Sequence, residues 1–143
     1  NDVLLSGGKV AGILLESSGQ GPFVDWLAIG FGVNLAAVPD GVTDAAFAPT
    51  SLRAAGGWDV DPIDFLAVLA DAYATQEDKL RTFGFARIRD DWLSKAARLG
   101  EVITARTGRE DITGRFETVD LDGNLVLDTA QGIKRIPAAD IYF

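Results

Sequence analysis

Lys-Val-Ala-Gly-Ile-Leu-Leu-Glu, at residues 9–16, is the stretch of sequence that decides the fold of this chain. It follows a Gly-Gly pair, and that pair follows the apolar run Val3 to Leu5. Two apolar runs separated by glycines, which adopt positive φ at little cost, are typical of a β-hairpin. Lys9 lies at the turn and is the only cation before Arg53. The stretch therefore predicts a hairpin with one isolated positive charge beside its turn.

The residues that follow predict a third strand. Phe23 to Asn34 is rich in β-branched and aromatic residues, and residues 17–22 before it are rich in serine, glycine and proline. We expect a turn that begins at Ser17, and thus a three-strand antiparallel meander. Beyond it, Pro39, Asp40 and Gly41 indicate an irregular loop that ends in a short helix at Ser51 to Ala55.

The middle of the chain predicts two helices. Asp61 is a good N-cap and Pro62 suits the first helical position, so a helix of about five turns should run from there to near Gly84. A second helix is expected over residues 86–99, ended by Gly100.

After residue 100 the pattern changes to alternation. Short strands are predicted at residues 102–106, 114–121, 125–128, 134–137 and 141–143, with Asp122-Gly123 a strong hairpin signal. Five short strands are too few for a sandwich and favour a small barrel. We therefore predict an α+β chain with two domains: an antiparallel sheet with helices over residues 1–99, and a small β-barrel over residues 100–143.

Composition excludes several classes of site. The chain has no cysteine and no histidine, which removes disulfides, thiolate and imidazole metal sites, and the serine–histidine–carboxylate triad. Its net charge of −8 argues against nonspecific nucleic-acid binding. Its apolar runs fall short of the ~18–20 residues of a membrane span. Catalysis here would use lysine, arginine, carboxylates and backbone, the groups that serve phosphoryl and adenylyl transfer.

Lys9 has two interpretations. It does not belong to a Walker A loop, because valine and a strand follow it where that loop needs Ser or Thr and a helix. Taken alone, its surroundings favour a hairpin lysine that lies in water. Gly12, Gly30 and Gly32 favour a ligand-binding site instead, since glycine within neighbouring strands is expected where a ligand approaches the backbone. The alternative is that these glycines make room for side chains that pack on the sheet.

Three polar residues complete the candidate set. Asn34 ends the third strand with an amide that can donate to a phosphate, or accept from an adenine or a ligand amide. Together with Lys9 and the three glycines it could line one face. Asn1 and Asp2 precede the first strand and could reach the same face, although Asp2 could equally cap a turn.

A family resemblance sharpens this interpretation. The segments N-D-V-L-L-S-G-G-K-V-A-G-I-L-L-E and A-I-G-F-G-V-N-L-A resemble the second half of the catalytic domain of bacterial biotin–protein ligases. Further similarity lies in S-L after a loop, G-F-A-R-I-R-D-D-W around the second helix, and D-L-D-G-N-L-V-L in the barrel. The resemblance implies part of a class II aminoacyl-tRNA-synthetase-like, biotin–lipoate ligase fold, followed by an SH3-like barrel.

The resemblance also implies an activity. The family uses ATP, with Mg²⁺, to convert biotin to biotinyl-5′-adenylate, and then transfers biotin to a lysine of a biotin carboxyl carrier protein. It implies a cytoplasmic enzyme and allows a homodimer. The other classes left open are a lipoate ligase or acyltransferase of the same superfamily, and a noncatalytic module that binds a carrier.

By resemblance, Lys9 is the catalytic lysine that contacts the biotin carboxylate and the adenylate phosphate. Gly12, Gly30, Gly32 and Asn34 would line the biotin and adenylate site with it. Asn1, Asp2 and Asp140 would approach the nucleotide, with Asp2 and Asn34 near Mg²⁺. The family's Gly/Arg-rich loop over biotin belongs upstream of Asn1, so we expect these 143 residues alone to be inactive.

Overall fold

The computed structural model describes residues 1–20, 23–39, 47–108 and 110–137, together with the backbone of Asp140–Tyr142. The chain forms two compact units, Asn1–Val68 and Leu69–Phe143. Among the residues described, no helix combines the length and the apolar character needed to cross a membrane.

The first unit is built on a three-stranded antiparallel sheet. Its strands are β1 (Asp2–Leu5), β2 (Gly8–Gln20) and β3 (Phe23–Val33), in that order across the sheet. The predicted meander is confirmed, but the turn expected from Ser17 is wrong. Ser17 pairs with Leu27 inside the β2–β3 ladder, and the ladder continues to Gln20. Pairing with a long partner strand outweighs the turn preference of Ser and Gly here, as strand propensity depends on context.

The short helix α1 (Leu52–Gly56) follows where it was expected. Ser51 caps it, because the Ser51 Oγ accepts a hydrogen bond from the Ala54 N–H at 3.1 Å. Ser51 is 2% exposed, so this cap anchors α1 in the interior of the unit. The loop predicted around Asp40 and Gly41 lies outside the described residues.

Two further helices follow, α2 (Pro62–Phe83) and α3 (Phe85–Leu93). The start of α2 is as predicted: Asp61 Oδ1 accepts from the Ile63 N–H at 2.8 Å. The predicted end of α3 near residue 99 is wrong. The Gly100 N–H already donates to the Phe116 carbonyl of the next sheet at 2.8 Å. Helix α3 ends at Leu93, and residues 97–100 form a turn that leads to that position.

The second sheet has five antiparallel strands: β4 (Val102–Arg106), β5 (Asp111–Val119), β6 (Leu125–Thr129), β7 (Gly132–Ile136) and β8 (Asp140–Tyr142). Their order is β7-β6-β5-β4-β8, which confirms the α+β class and all five strands. No pairing joins the edge strands β7 and β8 among the described residues, so the hydrogen-bonded ring of the predicted barrel is open there. The core of this sheet consists of Ile103, Ala105, Phe116, Leu127 and Ile136.

Helix α3 is fastened to this sheet by one arginine. The Arg89 guanidinium donates to the Val119 carbonyl and to Thr118 Oγ1, the second at 3.0 Å. The Trp92 ring lies 6.4 Å from the Phe116 ring, centroid to centroid. These contacts explain why an R-x-x-W pattern marks the helix next to the barrel.

Asp120 organises the β5–β6 turn. Its Oδ1 accepts from the backbone N–H groups of Asp122 and Asn124 at 3.0 and 2.9 Å, and its Oδ2 accepts from the Asn124 side-chain amide at 3.1 Å. Gly123 has φ +83°, which glycine adopts without strain. The side-chain bond from Asn124, followed by its backbone bond, lowers the pKa of Asp120 below its usual value of 3.8.

We expect Asp120→Asn to destabilise the protein at pH 7 and to matter less in acid. A carboxyl whose pKa is lower in the folded state adds stability above its unfolded pKa, and loses that stability as pH falls through the folded pKa. The gap in melting temperature between wild type and variant should therefore shrink below about pH 4. Calorimetric melts at pH 7 and pH 3 test this. Asp122→Asn removes the same charge from the same turn and is the control; an equal effect of both variants would contradict the role of Asp120.

Candidate active site

A β-bulge determines where Lys9 lies. Asp2 pairs with Gly12 and Val3 with Ala11, but Leu4 then pairs with Lys9, so Val10 is an extra residue on β2. Residues three apart on a regular strand lie on opposite faces. Because of the extra residue, Lys9 instead lies on the face of Asp2 and Gly12. A β-carbon placed on Gly12 would be 3.7 Å from Lys9 Cε and 3.9 Å from Lys9 Nζ.

Lys9 forms an ion pair with Asp2. The Lys9 Nζ lies 2.7 Å from Asp2 Oδ1, and the two side chains are 38% and 34% exposed. The lysine therefore lies along the sheet, over Gly12, and does not extend into water from the turn. The pair joins two of the predicted site residues and leaves both accessible to a ligand.

The backbone of Lys9 is held by a neighbouring loop. The Lys9 N–H donates to the Ala48 carbonyl at 2.9 Å, and the Lys9 carbonyl accepts from the Thr50 N–H at 2.8 Å. Pro49, between them, forms a parallel bridge with Lys9. The loop packs so closely that a β-carbon on Gly8 would be 2.8 Å from Thr50 Cβ, which requires glycine there. Sequence reasoning missed this loop, since residues 48–50 carry no motif.

The three predicted glycines form a bare strip of sheet. Gly12 pairs with Gly32, and Gly30 pairs with Leu14, so all lie on one face. A β-carbon on Gly32 would have only the Gly12 carbonyl oxygen within 4 Å, at 4.0 Å, and one on Gly30 would be 3.7 Å from the Leu14 carbonyl oxygen. Among the described residues, no side chain packs against Gly32. The strip is open, as a ligand site requires.

An open depression of about 470 Å³ covers this strip. It is lined by Asn1, Gly12, Ile13, Leu14, Gly30, Phe31 and Gly32. Lys9 is not one of the lining residues, and its ammonium lies at the border, over Gly12. The floor of the depression thus consists of apolar groups and exposed backbone, with one cation at its edge. This suits a flat ligand that carries negative charge at one end.

Asn34 is placed differently from the expectation. Its Nδ2 donates to the Thr50 carbonyl at 3.0 Å, and its backbone N–H donates to the Val10 carbonyl at 2.9 Å. It is half-buried and is not among the lining residues of the depression. Its role as a direct ligand stays a prediction.

The placement of Asp2 and Asn34 near Mg²⁺ stays a prediction. No group of three or more carboxylates that could hold a metal ion is present among the described residues, Asp2 is paired with Lys9, and the Asn34 amide donates to Thr50 through its nitrogen and not its oxygen. Mg²⁺ prefers several oxygen ligands in octahedral geometry and often takes them from phosphates. Asp140 belongs to the second unit, where its backbone pairs with Arg106; its side chain lies outside the described residues.

Comparison with known proteins indicates which family the chain is similar to. Residues 99–143 match the family described as "Biotin protein ligase C terminal domain". The whole chain aligns at 53% identity with a biotin--[acetyl-CoA-carboxylase] ligase of Paracoccus denitrificans, of which it covers 60%. It aligns over 99% of its length, at 33% identity, with the bifunctional ligase/repressor BirA of Bacillus subtilis, of which it covers 44%.

Solved structures agree with this match. An apo biotin protein ligase from Aquifex aeolicus matches 99% of the chain with a TM-score of 0.82 and 27% identity, and the chain covers 62% of it. The same enzyme in complex with biotin and ATP matches with a TM-score of 0.79 and 26% identity, with 58% of it covered. The chain therefore spans less than two thirds of each of these relatives.

Proposed function

Because this chain belongs to the biotin protein ligase family and matches the C-terminal portion of its members, we propose that it contributes to ATP-dependent biotinylation of a carrier protein. The depression beside Lys9 would hold biotin and the adenylate. The observation that carries this proposal is the Lys9 ammonium, held over an open glycine strip by Asp2 at 2.7 Å. The rest of the site would come from residues that the relatives have and these 143 do not.

The proposed chemistry has two steps. A biotin carboxylate oxygen attacks the α-phosphorus of ATP, which forms biotinyl-5′-adenylate and releases pyrophosphate. A carrier lysine amine then attacks the biotinyl carbonyl carbon, which forms an amide and releases AMP. Negative charge is concentrated at the carboxylate–phosphate junction in both steps, so one fixed cation at that junction favours both. Lys9 is the residue that we assign to it.

The depression suits the biotin end of this ligand. Leu14 gives it an apolar side chain on the glycine face, and Gly12, Gly30 and Gly32 let a ring lie against the backbone. Magnesium would arrive with the ATP phosphates and lie near Asp2 and Asn34. We further propose that the partner is a biotin carboxyl carrier protein. We propose the cytoplasm as the location, because ATP is made there. A homodimer is an allowed state.

Substrate-dependent exchange of pyrophosphate into ATP tests the first step. The whole gene product that contains these residues should catalyse this exchange with biotin, and should then label a carrier domain that has its acceptor lysine. A carrier with Lys→Arg at the acceptor is the matched control. Exchange with lipoate and not biotin would favour a lipoate ligase. No exchange with either, together with carrier binding, would favour the noncatalytic module.

A further inference from the structure

We infer that Arg89 locks helix α3 to the second sheet, so that α3 and this sheet move as one rigid body. The domain boundary that the sequence predicts at residues 99–100 would then not act as a hinge. The inference does not depend on the proposed function, because it concerns contacts within the second compact unit alone.

A β-bulge on β5 lies next to the two groups that receive Arg89. The pairing of β5 with β6 shifts between Phe116 and Thr118, so Glu117 is an extra residue on β5. A bulge bends its strand and re-aims the residues beside it. The Thr118 hydroxyl and the Val119 carbonyl, which follow the bulge, both accept hydrogen bonds from Arg89.

The Arg89 guanidinium uses all three of its nitrogens. Its Nε donates to the Val119 carbonyl, its Nη2 donates to Thr118 Oγ1 at 3.0 Å, and its Nη1 donates to Asp90 Oδ1 at 2.8 Å. The side chain is 21% exposed, so these bonds are partly shielded from water. Hydrogen bonds from a charged donor are roughly twice as strong as neutral ones. One planar group thus spans two acceptors of the sheet and a carboxylate of its own helix.

Apolar contacts support the same joint. The Trp92 ring lies 6.4 Å from the Phe116 ring, and Leu93 and Ala96 pack against the core of the sheet. The Gly100 N–H then donates to the Phe116 carbonyl at 2.8 Å. The segment from the end of α3 to the predicted boundary is therefore attached to the sheet at several points along its length.

Arg89 adds direction to this attachment. Hydrophobic association is non-directional, so apolar contacts alone hold α3 against the sheet without fixing its angle. The donors of a guanidinium form a rigid, planar fork, and a fork with two acceptors on the sheet fixes that angle. Loss of Arg89 should therefore leave α3 in contact with the sheet but free to change its orientation.

Residual dipolar couplings of backbone N–H groups test whether α3 and the sheet share one orientation. In the whole gene product, the couplings of α3 and those of β4, β5 and β6 should fit a single alignment tensor. In Arg89→Ala the two sets should require two tensors. Two tensors in the wild-type protein would overturn the rigid body, and a single tensor in Arg89→Ala would overturn the role of Arg89.

Amide hydrogen exchange at Gly100 and Phe116 measures how often the joint opens. Neither amide bonds to Arg89, so a change there reports the joint and not the lost contact itself. Arg89→Ala should speed this exchange roughly ten- to a hundredfold, as expected for lost hydrogen bonds to a charged group. Arg89→Lys should also speed it, because an ammonium does not reproduce the fork. Wild-type exchange in both variants would contradict the lock.

Arg87→Ala is the matched control. Arg87 lies on the same helix, is 62% exposed, and pairs with Asp91 of that helix, with its Nε 3.4 Å from Asp91 Oδ1. Its loss should leave one alignment tensor and change exchange by less than about twofold, because an exposed ion pair contributes little. Equal effects of Arg87→Ala and Arg89→Ala would show a general effect of charge on α3 and overturn the inference.

Thr118→Val decides the question if Arg89→Ala does not fold. It removes one acceptor of the fork, Thr118 Oγ1, and keeps a β-branched side chain on the strand. Exchange at Gly100 and Phe116 should become roughly three- to tenfold faster, the range for one lost hydrogen bond. Unchanged exchange in this variant would overturn the inference.

Discussion

Lys9→Ala should lower the rate of biotinyl-adenylate formation about 10²- to 10³-fold, the usual loss when one group that stabilises developing charge is removed. Two effects add. The cation at the border of the depression disappears, and Asp2, which it neutralised at 2.7 Å, is left as an uncompensated anion beside anionic substrates. Stability should change by only about 0–1 kcal/mol, because the pair is one-third exposed. Single-turnover measurement of adenylate in the whole gene product gives the rate.

Two further variants separate these effects. Lys9→Ala combined with Asp2→Asn should recover part of the lost rate, because the second change removes the repulsive charge. Lys134→Ala, an exposed lysine on β7, should leave the rate unchanged and serves as the charge-matched control. Normal turnover in Lys9→Ala would remove Lys9 from the mechanism.

Gly32→Val should weaken biotin binding without lowering the stability of the protein. The nearest atom to a new β-carbon is the Gly12 carbonyl oxygen at 4.0 Å, so the β-carbon of valine meets no clash, and glycine within a strand costs roughly 0.5–1 kcal/mol. The melting temperature should therefore stay equal or rise. The added side chain projects into the depression, and an overfilled site loses about 1–3 kcal/mol, or roughly 5- to 150-fold in affinity. Calorimetric titration with biotin measures that loss.

Ala28→Val is the matched control for this substitution. Ala28 lies on the same face of the same strand, opposite Glu16 and beyond the lining of the depression. It should bind biotin as wild type does. Equal biotin affinity in Gly32→Val and wild type would mean that the glycine strip is not where biotin lies.

The sequence predicted those elements whose signals are local. The start of α2 follows from Asp61-Pro62, and the β5–β6 hairpin follows from Asp122-Gly123, because a cap and a tight turn are decided by a few adjacent residues. The element ends that were predicted wrongly depend on partners that lie far away in the sequence. Residues 17–20 are strand because β3 pairs with them, and the segment after Leu93 leads to the hydrogen bond between Gly100 and Phe116 of the next sheet.

The candidate site, too, was predictable from the sequence only in part. The sequence predicted Lys9, Gly12, Gly30, Gly32 and Asn34 on one face, and the structure places Gly12, Gly30 and Gly32 together. Regular alternation would put Lys9 and Gly12, three residues apart, on opposite faces, and the bulge at Val10 is what brings them together. The hold of Ala48 and Thr50 on Lys9, and of Asn34 on Thr50, joins segments far apart in the chain through backbone atoms, which no side-chain motif records.

The bulge at Val10 makes strand pairing, and not spacing in the sequence, the criterion for the position of Lys9. Deletion of this one buried valine would leave Lys9 two residues from Gly12, so regular pairing would still place its ammonium on the Gly12 face. Regular pairing of the full-length strand would instead turn the ammonium to the other side of the sheet. The lysine of a related protein should therefore be judged by its partner on β1, and a one-residue gap at this position is compatible with a cation over the glycine strip.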